Sequence, residues 1–324
     1  MAVYTQVSPE ALDSHLAQYD LGDVTSFKGI AGGVENSNYL LGTTTSTYIL
    51  TLYEARVAAT DLPFFIGLMD HLAGAGFPCP TPVRMRNGEA LGELCGRPAA
   101  IVSFLDGMEV ERADAEHCQM AGATMAKLHA AGQGFEIERV NALAPHGWPA
   151  LIDGNIDQAD SVEAGMRSLI ESAKAQTDTN WPSDLPRGVI HADMFKDNVF
   201  FLDGHLSGVI DFYFACNDFL AYDIAVAINA WCFDERLEFK ADLCAAFVAG
   251  YESQRALSAN ERAALPILTK GAALRFLLTR LNDWLNVPKG ALVVPHDPTA
   301  FSTRLRFFMD NDAELAKAIE RPTA

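Results

Sequence analysis

The residues best suited to chemistry lie in one short stretch, 188–214, where two aspartates and an asparagine surround a pair of apolar runs. His191, Asp193 and Asn198 precede the runs 199–202 and 206–210, and Asp211 follows them directly. Asp203-Gly204 separates the runs, a pattern that predicts a hairpin. A loop, a hairpin and a second turn can bring Asp193, Asn198 and Asp211 to one mouth. Hard oxygens grouped in this way suit a divalent cation held against a phosphate. Phosphoryl transfer needs one carboxylate to orient the attacking hydroxyl and accept its proton. It also needs an amide and a second carboxylate to hold magnesium. Asp193 is therefore expected as the base, with Asn198 and Asp211 as magnesium ligands. His191 reads as a packed residue that holds the loop rather than as a proton carrier.

The order H-x-D-x-x-x-x-N, hairpin, D is that of the catalytic and metal loops of kinases, with ATP as donor. The upstream elements must then present a nucleotide. Gly29-Ile-Ala-Gly32-Gly33 lies between the strand candidates 24–27 and 39–41. It suits a flap whose amides approach phosphate closely. Ser37 and Asn38 would add side-chain donors. A glycine-rich hairpin is just as much the mark of a plain turn, and only its place upstream of Asp193 favours the flap. Strand 48–53 carries Thr51 where kinases usually have the lysine that holds the α/β-phosphates. Arg56, just past that strand, is the nearest substitute cation. The absent lysine keeps open the alternative of a nucleotide-binding chain without turnover, against which Asp193, Asn198 and Asp211 all stand.

Before the hinge the chain reads as strand-rich. A hairpin is expected from 39–41 and 48–53, a helix over 62–74, and extended backbone at Pro78, Pro80 and Pro82. A strand follows at 98–104. Helical spacing dominates afterwards, over 114–131 with Asp114 as cap, and over 161–175, 219–232, 236–254 and 260–285.

Composition narrows the function classes. The 324 residues carry 24 basic and 42 acidic side chains, a net charge of −18 that repels phosphate backbones and anionic lipid. Neither nucleic acid nor membrane is expected as a partner. The six cysteines form no C-x-x-C pair and read as reduced thiols. With no secretory pattern at the N-terminus and no apolar run near the ~18 residues of a span, a cytoplasmic location is expected.

With these motifs the chain resembles the aminoglycoside phosphotransferase/choline kinase superfamily. Residues 125–129, Met-Ala-Lys-Leu-His, are similar to that family's helix ending in Leu-His, and Asp223-Ile-Ala225 to its Asp-Leu-Ala element. The segments GVENSNYLL, YILTLYE, PCPTPV, VIHADMFKDNVFF, GVIDFYFACNDFLAYDIAVAINAWCFD and ALRFLLTRLNDW are similar to the homoserine kinases of that superfamily. The resemblance implies an α+β, bilobal protein-kinase-like fold. It has a small antiparallel-sheet lobe over 1–105, a hinge at about 101–107 and a larger, mainly helical lobe over 106–324. Ser103 and Leu105 would meet adenine through their backbone, and Asp223 would brace the catalytic loop. ATP and Mg2+ are the implied cofactors. L-homoserine is the implied acceptor and O-phosphohomoserine, the precursor of threonine, the product.

A zwitterionic acceptor needs a cation for its carboxylate, and Arg275 and Arg280 are the candidates, since arginine offers a bidentate fork. Five residues apart on one helix, they are not expected to share one carboxylate. Tyr213, Asp218, Asn229 and Trp231 follow the metal loop and are candidates to line the acceptor pocket, though each equally suits packing. Another small amino alcohol (an aminoglycoside, choline or methylthioribose) remains the alternative acceptor. The sequence leaves the oligomeric state open.

Overall fold

The structure, a computed structural model, describes residues 5–30, 36–54, 58–287 and 295–320. Gly32, Gly33 and Arg56 lie outside these residues.

The first helix, α1 (Pro9–Leu16), opens on Ser8, whose hydroxyl accepts from the Ala11 amide at 3.2 Å. Five strands follow: β1 (Val24–Gly29), β2 (Ser37–Thr43), β3 (Thr47–Leu52), β4 (Gly92–Leu94) and β5 (Arg97–Ser103). They form an antiparallel sheet in the order β1-β2-β3-β5-β4. The expected hairpin is β2 and β3, paired Leu40↔Ile49. The two-residue period of the strands sorts their side chains between two cores. Leu41, Leu50, Leu52 and Ile101 pack with Leu12 of α1. Ala100 and Val102 face the other way and join α2 (Leu62–Gly74), the helix expected over 62–74, in a larger cluster that continues into the helical half. The prolines do force an extended path: the Val83 amide donates to Ile101 O at 2.8 Å, so the segment runs beside β5.

Beyond β5, α3 (Ala115–Ala131) is capped by Asp114, which accepts from the His117 amide at 3.0 Å as expected. Then come α4 (Trp148–Asn155), α5 (Ala159–Val162) and α6 (Met166–Asn180). The helix expected over 161–175 is thus split and shifted, because Glu163 turns extended after the first piece and Gly165, at φ +80°, opens the second. The strand island holds β6 (Arg187–Ile190), β7 (Val199–Leu202) and β8 (His205–Val209). Asp203 and Gly204, both at positive φ, make the expected hairpin turn between the last two.

Strand β9 (Cys216–Phe219) pairs antiparallel with β6 through Ile190↔Cys216, so α7 (Leu220–Trp231) begins only after it. The next expected helix, 236–254, begins late as α8 (Ala241–Glu252). Lys240 N donates back to Cys232 O at 2.8 Å and Leu237 stands at φ 60°, closing a loop first. Next, α9 (Ala259–Leu285) starts with a capping box between Ser258 and Glu261, and α10 (Thr299–Asp310) and α11 (Asp312–Glu320) complete the chain.

Helices α3 and α8 meet backbone to backbone. A Cβ on Gly122 would stand 2.0 Å from Phe247 O, and one on Gly250 would stand 2.0 Å from Gln119 O. This approach brings the ends of the two helices, His129 and Tyr251, into contact. Among the described residues no helix is long and apolar enough to cross a membrane.

Candidate active site

The loop between β6 and β7 is shaped from behind by one buried carboxylate. Asp223, in the first turn of α7, accepts the His191 amide at 2.9 Å and the Ala192 amide at 2.8 Å. Its Oδ2 also takes a bond from His129 Nε2 at 3.0 Å, and Nδ1 of that ring lies 2.8 Å from the Tyr251 hydroxyl. Burial alone would raise the Asp223 pKa. The His129 ring first, and then the bond from the His191 amide, outweigh it and hold the carboxyl below its ordinary value. This grip bends the chain at Ala192, which takes φ 60°, a conformation alanine seldom adopts.

The His191 ring joins two loops. Its Nε2 donates to Ile210 O at 2.9 Å and its Nδ1 accepts from the Asp193 amide at 3.3 Å. Burial pushes its pKa down, so it stands neutral and structural, in keeping with its role as a packed residue. The Ile210 amide in turn donates to Asn198 O at 3.0 Å. Residues 191–193, 198 and 210–211 are thereby tied together. Asn198 is buried and turns its Nδ2 onto Asp193, 2.8 Å from the carbonyl and 3.3 Å from Oδ2. Its amide oxygen is the atom left for a cation. Asp211 is exposed, at φ 64° and ψ 65°, and its charge helps raise the phenol of Tyr53, whose pKa lies well above normal chiefly through burial. Tyr53 and Tyr213 meet at 3.5 Å between hydroxyls, so the end of β3 reaches the metal-loop side.

Among the described residues no three His, Cys, Asp or Glu side chains cluster as a protein-only metal cage. A carboxylate and an amide oxygen suit a cation that completes its shell with phosphate oxygens and water, as magnesium does. The residues present fit that ion.

The acceptor candidates divide. Arg275 is buried behind the loop: Nη1 donates to Ala192 O at 3.1 Å and stands 3.8 Å from Asp193 Oδ1, with Phe276 3.9 Å and Phe214 5.0 Å away. One side borders a cavity of about 230 Å³ with Asp61, Phe65, Arg139 and Tyr213. Arg275 thus supports the loop, and the expectation that it takes the substrate carboxylate gives way to that role. Three further candidates are corrected in the same sense. Trp231 is buried and its indole donates to Met194 O at 2.8 Å. Asn229 is buried and its Nδ2 donates to Ala225 O at 3.0 Å and Thr269 O at 3.1 Å, joining α7 to α9. Asp218 is buried in β9, where it accepts from Asn141 Nδ2 at 2.8 Å. Their bonds inside α7 and β9 serve packing, although Asn229 Oδ1 is buried with no partner. Tyr213 and Arg280 remain partly exposed.

On the sheet, Ser37 is buried and donates to Glu54 Oε1 at 2.7 Å, so its proton is taken and it does not serve phosphate. Asn38 Oδ1 accepts from the Thr51 hydroxyl at 2.8 Å, which leaves its amide nitrogen as the remaining donor. Glu54 lies 3.2 Å from Arg97 Nε. At the hinge, the Ser103 hydroxyl accepts from the Thr81 amide at 2.9 Å. The Leu105 amide donates to no backbone acceptor among the described residues. Sequence reasoning missed the partnership of His129 and Tyr251, the brace of Arg139 on Asp61 at 2.7 Å, and Arg304 on α10. Only the Leu-His ending of α3 marked any of these beforehand.

Comparison with known proteins agrees with this geometry. The model of a family described as phosphotransferase enzyme family matches residues 26–257. The homoserine kinase of Methylobacterium radiotolerans is 59% identical over 307 residues, covering 95% of this chain and 96% of that one. That of Xanthobacter autotrophicus is 56% identical over 313 residues, covering 97% and 98%. Among solved structures, amicoumacin kinase in complex with AMP-PNP, Ca2+ and Ami superposes with a TM-score of 0.68 at 15% identity, covering 94% of this chain and 93% of that one.

Proposed function

The chain belongs to the phosphotransferase enzyme family, on its homoserine kinase branch, and from that premise we propose how its residues carry the reaction. The protein is an ATP-dependent kinase of protein-kinase-like fold that transfers the γ-phosphoryl group of ATP to the hydroxyl of L-homoserine. The product is O-phosphohomoserine, the precursor of threonine.

Asp193 orients the acceptor hydroxyl and receives its proton as the O–P bond forms in line with the departing ADP. Asn198 and Asp211 would hold Mg2+, which when bound would offset the charge of the phosphates. The backbone at Ser103 and Leu105 meets adenine, and the division between the lobes falls near Leu105. Gly32, Gly33 and Asn38 cover the phosphates, with Arg56 as the counter-charge where Thr51 replaces lysine. His191 and Asp223 hold the loop in place and carry no proton in the reaction.

One observation supports this reading above the others: the bonds from Asp223 through His191 to Ile210 fix Asp193, Asn198 and Asp211 beside each other. The test is ATP turnover across homoserine, choline, an aminoglycoside and methylthioribose, with and without Mg2+. Homoserine-dependent turnover that vanishes on chelation and returns with Mg2+ is expected. Preference for another acceptor would overturn the substrate, and turnover in chelator would overturn the metal ligands.

A further inference from the structure

Two guanidinium groups beside the catalytic loop have no hydrogen bond or ion pair among the described residues. Arg280 of α9 and Arg304 of α10 lie 4.6 and 4.7 Å from the same Phe301 ring, and Arg304 also lies 5.4 Å from Phe233. The Nε of Arg304 is buried with no partner. Phe301 stacks on Phe276 at 4.9 Å and meets Phe195 of the catalytic loop at 6.3 Å. The ring that carries both arginines is therefore anchored on the loop that carries Asp193.

The electrostatics suit an anion at this place. Burial draws the Arg304 pKa down to about 10, and the charge of Arg280 adds to the effect. Burial also lowers Arg280, against the pull of Asp193, Asp197 and Asp297, with Arg275 working the other way. Burial lowers the Lys196 pKa and the charge of Arg304 adds to the effect, so a further cation stands near the pair. A desolvated guanidinium nitrogen with no hydrogen-bond partner is costly, and ring stacking offsets only part of that cost. An incoming anion removes it, and arginine's fork matches a carboxylate.

We infer that Arg280 and Arg304 receive the carboxylate of the amino-acid acceptor, while its hydroxyl is presented to Asp193. This rests on homoserine as the acceptor. Arg275 is not part of the receptor, since it is bound to the Ala192 carbonyl. A nucleotide phosphate has similar chemistry, and the kinetics separate the two sources.

The experiment measures steady-state kinetics of Arg304→Met and Arg280→Met with homoserine and with 3-aminopropan-1-ol, which is homoserine without its carboxylate. Each variant should raise the homoserine KM roughly 10- to 100-fold, the range set by a hydrogen bond to a charged group. The ATP KM and the parameters for 3-aminopropan-1-ol should stay at wild-type values, so the preference for homoserine shrinks by the same factor. Arg304→Lys, which keeps the charge but loses the fork, should fall between. A raised ATP KM with homoserine unaffected would assign the pair to nucleotide phosphate. Equal loss for both acceptors would make the arginines structural. Either result overturns the inference while the homoserine reading survives, whereas a wild-type enzyme inactive on homoserine would end both. Should Arg304→Met not fold, Arg280→Met decides the question alone.

Discussion

The catalytic loop and the β2–β3 hairpin both carry polar residues that phosphate chemistry calls for, yet they use them in opposite ways. In the loop, scaffold groups supply the bonds. Asp223, His191 and Arg275 bind backbone atoms, while Asp193 and Asp211 remain accessible enough to react. In the hairpin the polar side chains bind each other: Ser37 with Glu54, and Thr51 with Asn38. A polar residue is available for chemistry when its neighbours' backbone takes up the structural bonding. A hydroxyl is not available when a cross-strand or neighbouring acceptor takes its proton, as Glu54 takes that of Ser37 and Asn38 that of Thr51.

This contrast predicts that loop variants change turnover and hairpin variants change stability. The largest expected effect is that of Asp193→Asn, which should lower kcat about 1,000-fold, within the span of a lost general base, at unchanged ATP affinity and Tm. An equal fall in Tm would erase the distinction. Next is Asp223→Ala, which strips the acceptor from His129 and from two amides. It should cost about 3–5 kcal/mol in chemical denaturation and abolish turnover as well. Retained activity there would show that the loop holds its shape unaided.

His191 adds a pH dependence of smaller size. Its folded pKa is lowered from 6.5, so the unfolded chain binds the proton more readily. The stability it contributes is complete above 6.5 and is lost as pH falls through the folded value. Thermal melts from about pH 7 to about pH 5 should fall less steeply for His191→Gln than for wild type. An identical slope would show that the acid sensitivity arises elsewhere. The smallest effect belongs to the sheet. Thr51→Val removes one neutral bond and should cost about 1 kcal/mol, leaving the ATP KM untouched. A raised ATP KM would place Thr51 among the phosphate ligands after all.

Much of the catalytic half was legible because its geometry is local. Asp193, Asn198 and Asp211 are placed by one hairpin whose turn, Asp203-Gly204, is written in adjacent residues. The helix over 62–74 and the Asp114 cap were readable for the same reason. Residues whose roles depend on distant partners were not. Trp231 and Asn229 follow the metal loop in sequence, which suggested a pocket. Their partners, Met194 and Thr269, lie 37 and 40 residues away and claim them for packing. Arg304 stands in a segment of ordinary helical texture, and only the tertiary meeting of α9 with α10 over Phe301 sets it beside the site. The late start of α8 had a comparable cause, a loop closed by Lys240 onto Cys232.

The glycine contact between α3 and α8 reaches further than its distance from substrate suggests. It seats Tyr251 against His129 and His129 against Asp223, and Asp223 sets the backbone that presents Asp193. In a random-mutagenesis screen scored only by growth without threonine, alanine at Gly122 or Gly250 would fail alongside loss of Asp193. An intolerance map from such a screen would draw the active site too large. Counting soluble protein variant by variant would shrink it back to the residues that touch the reactants.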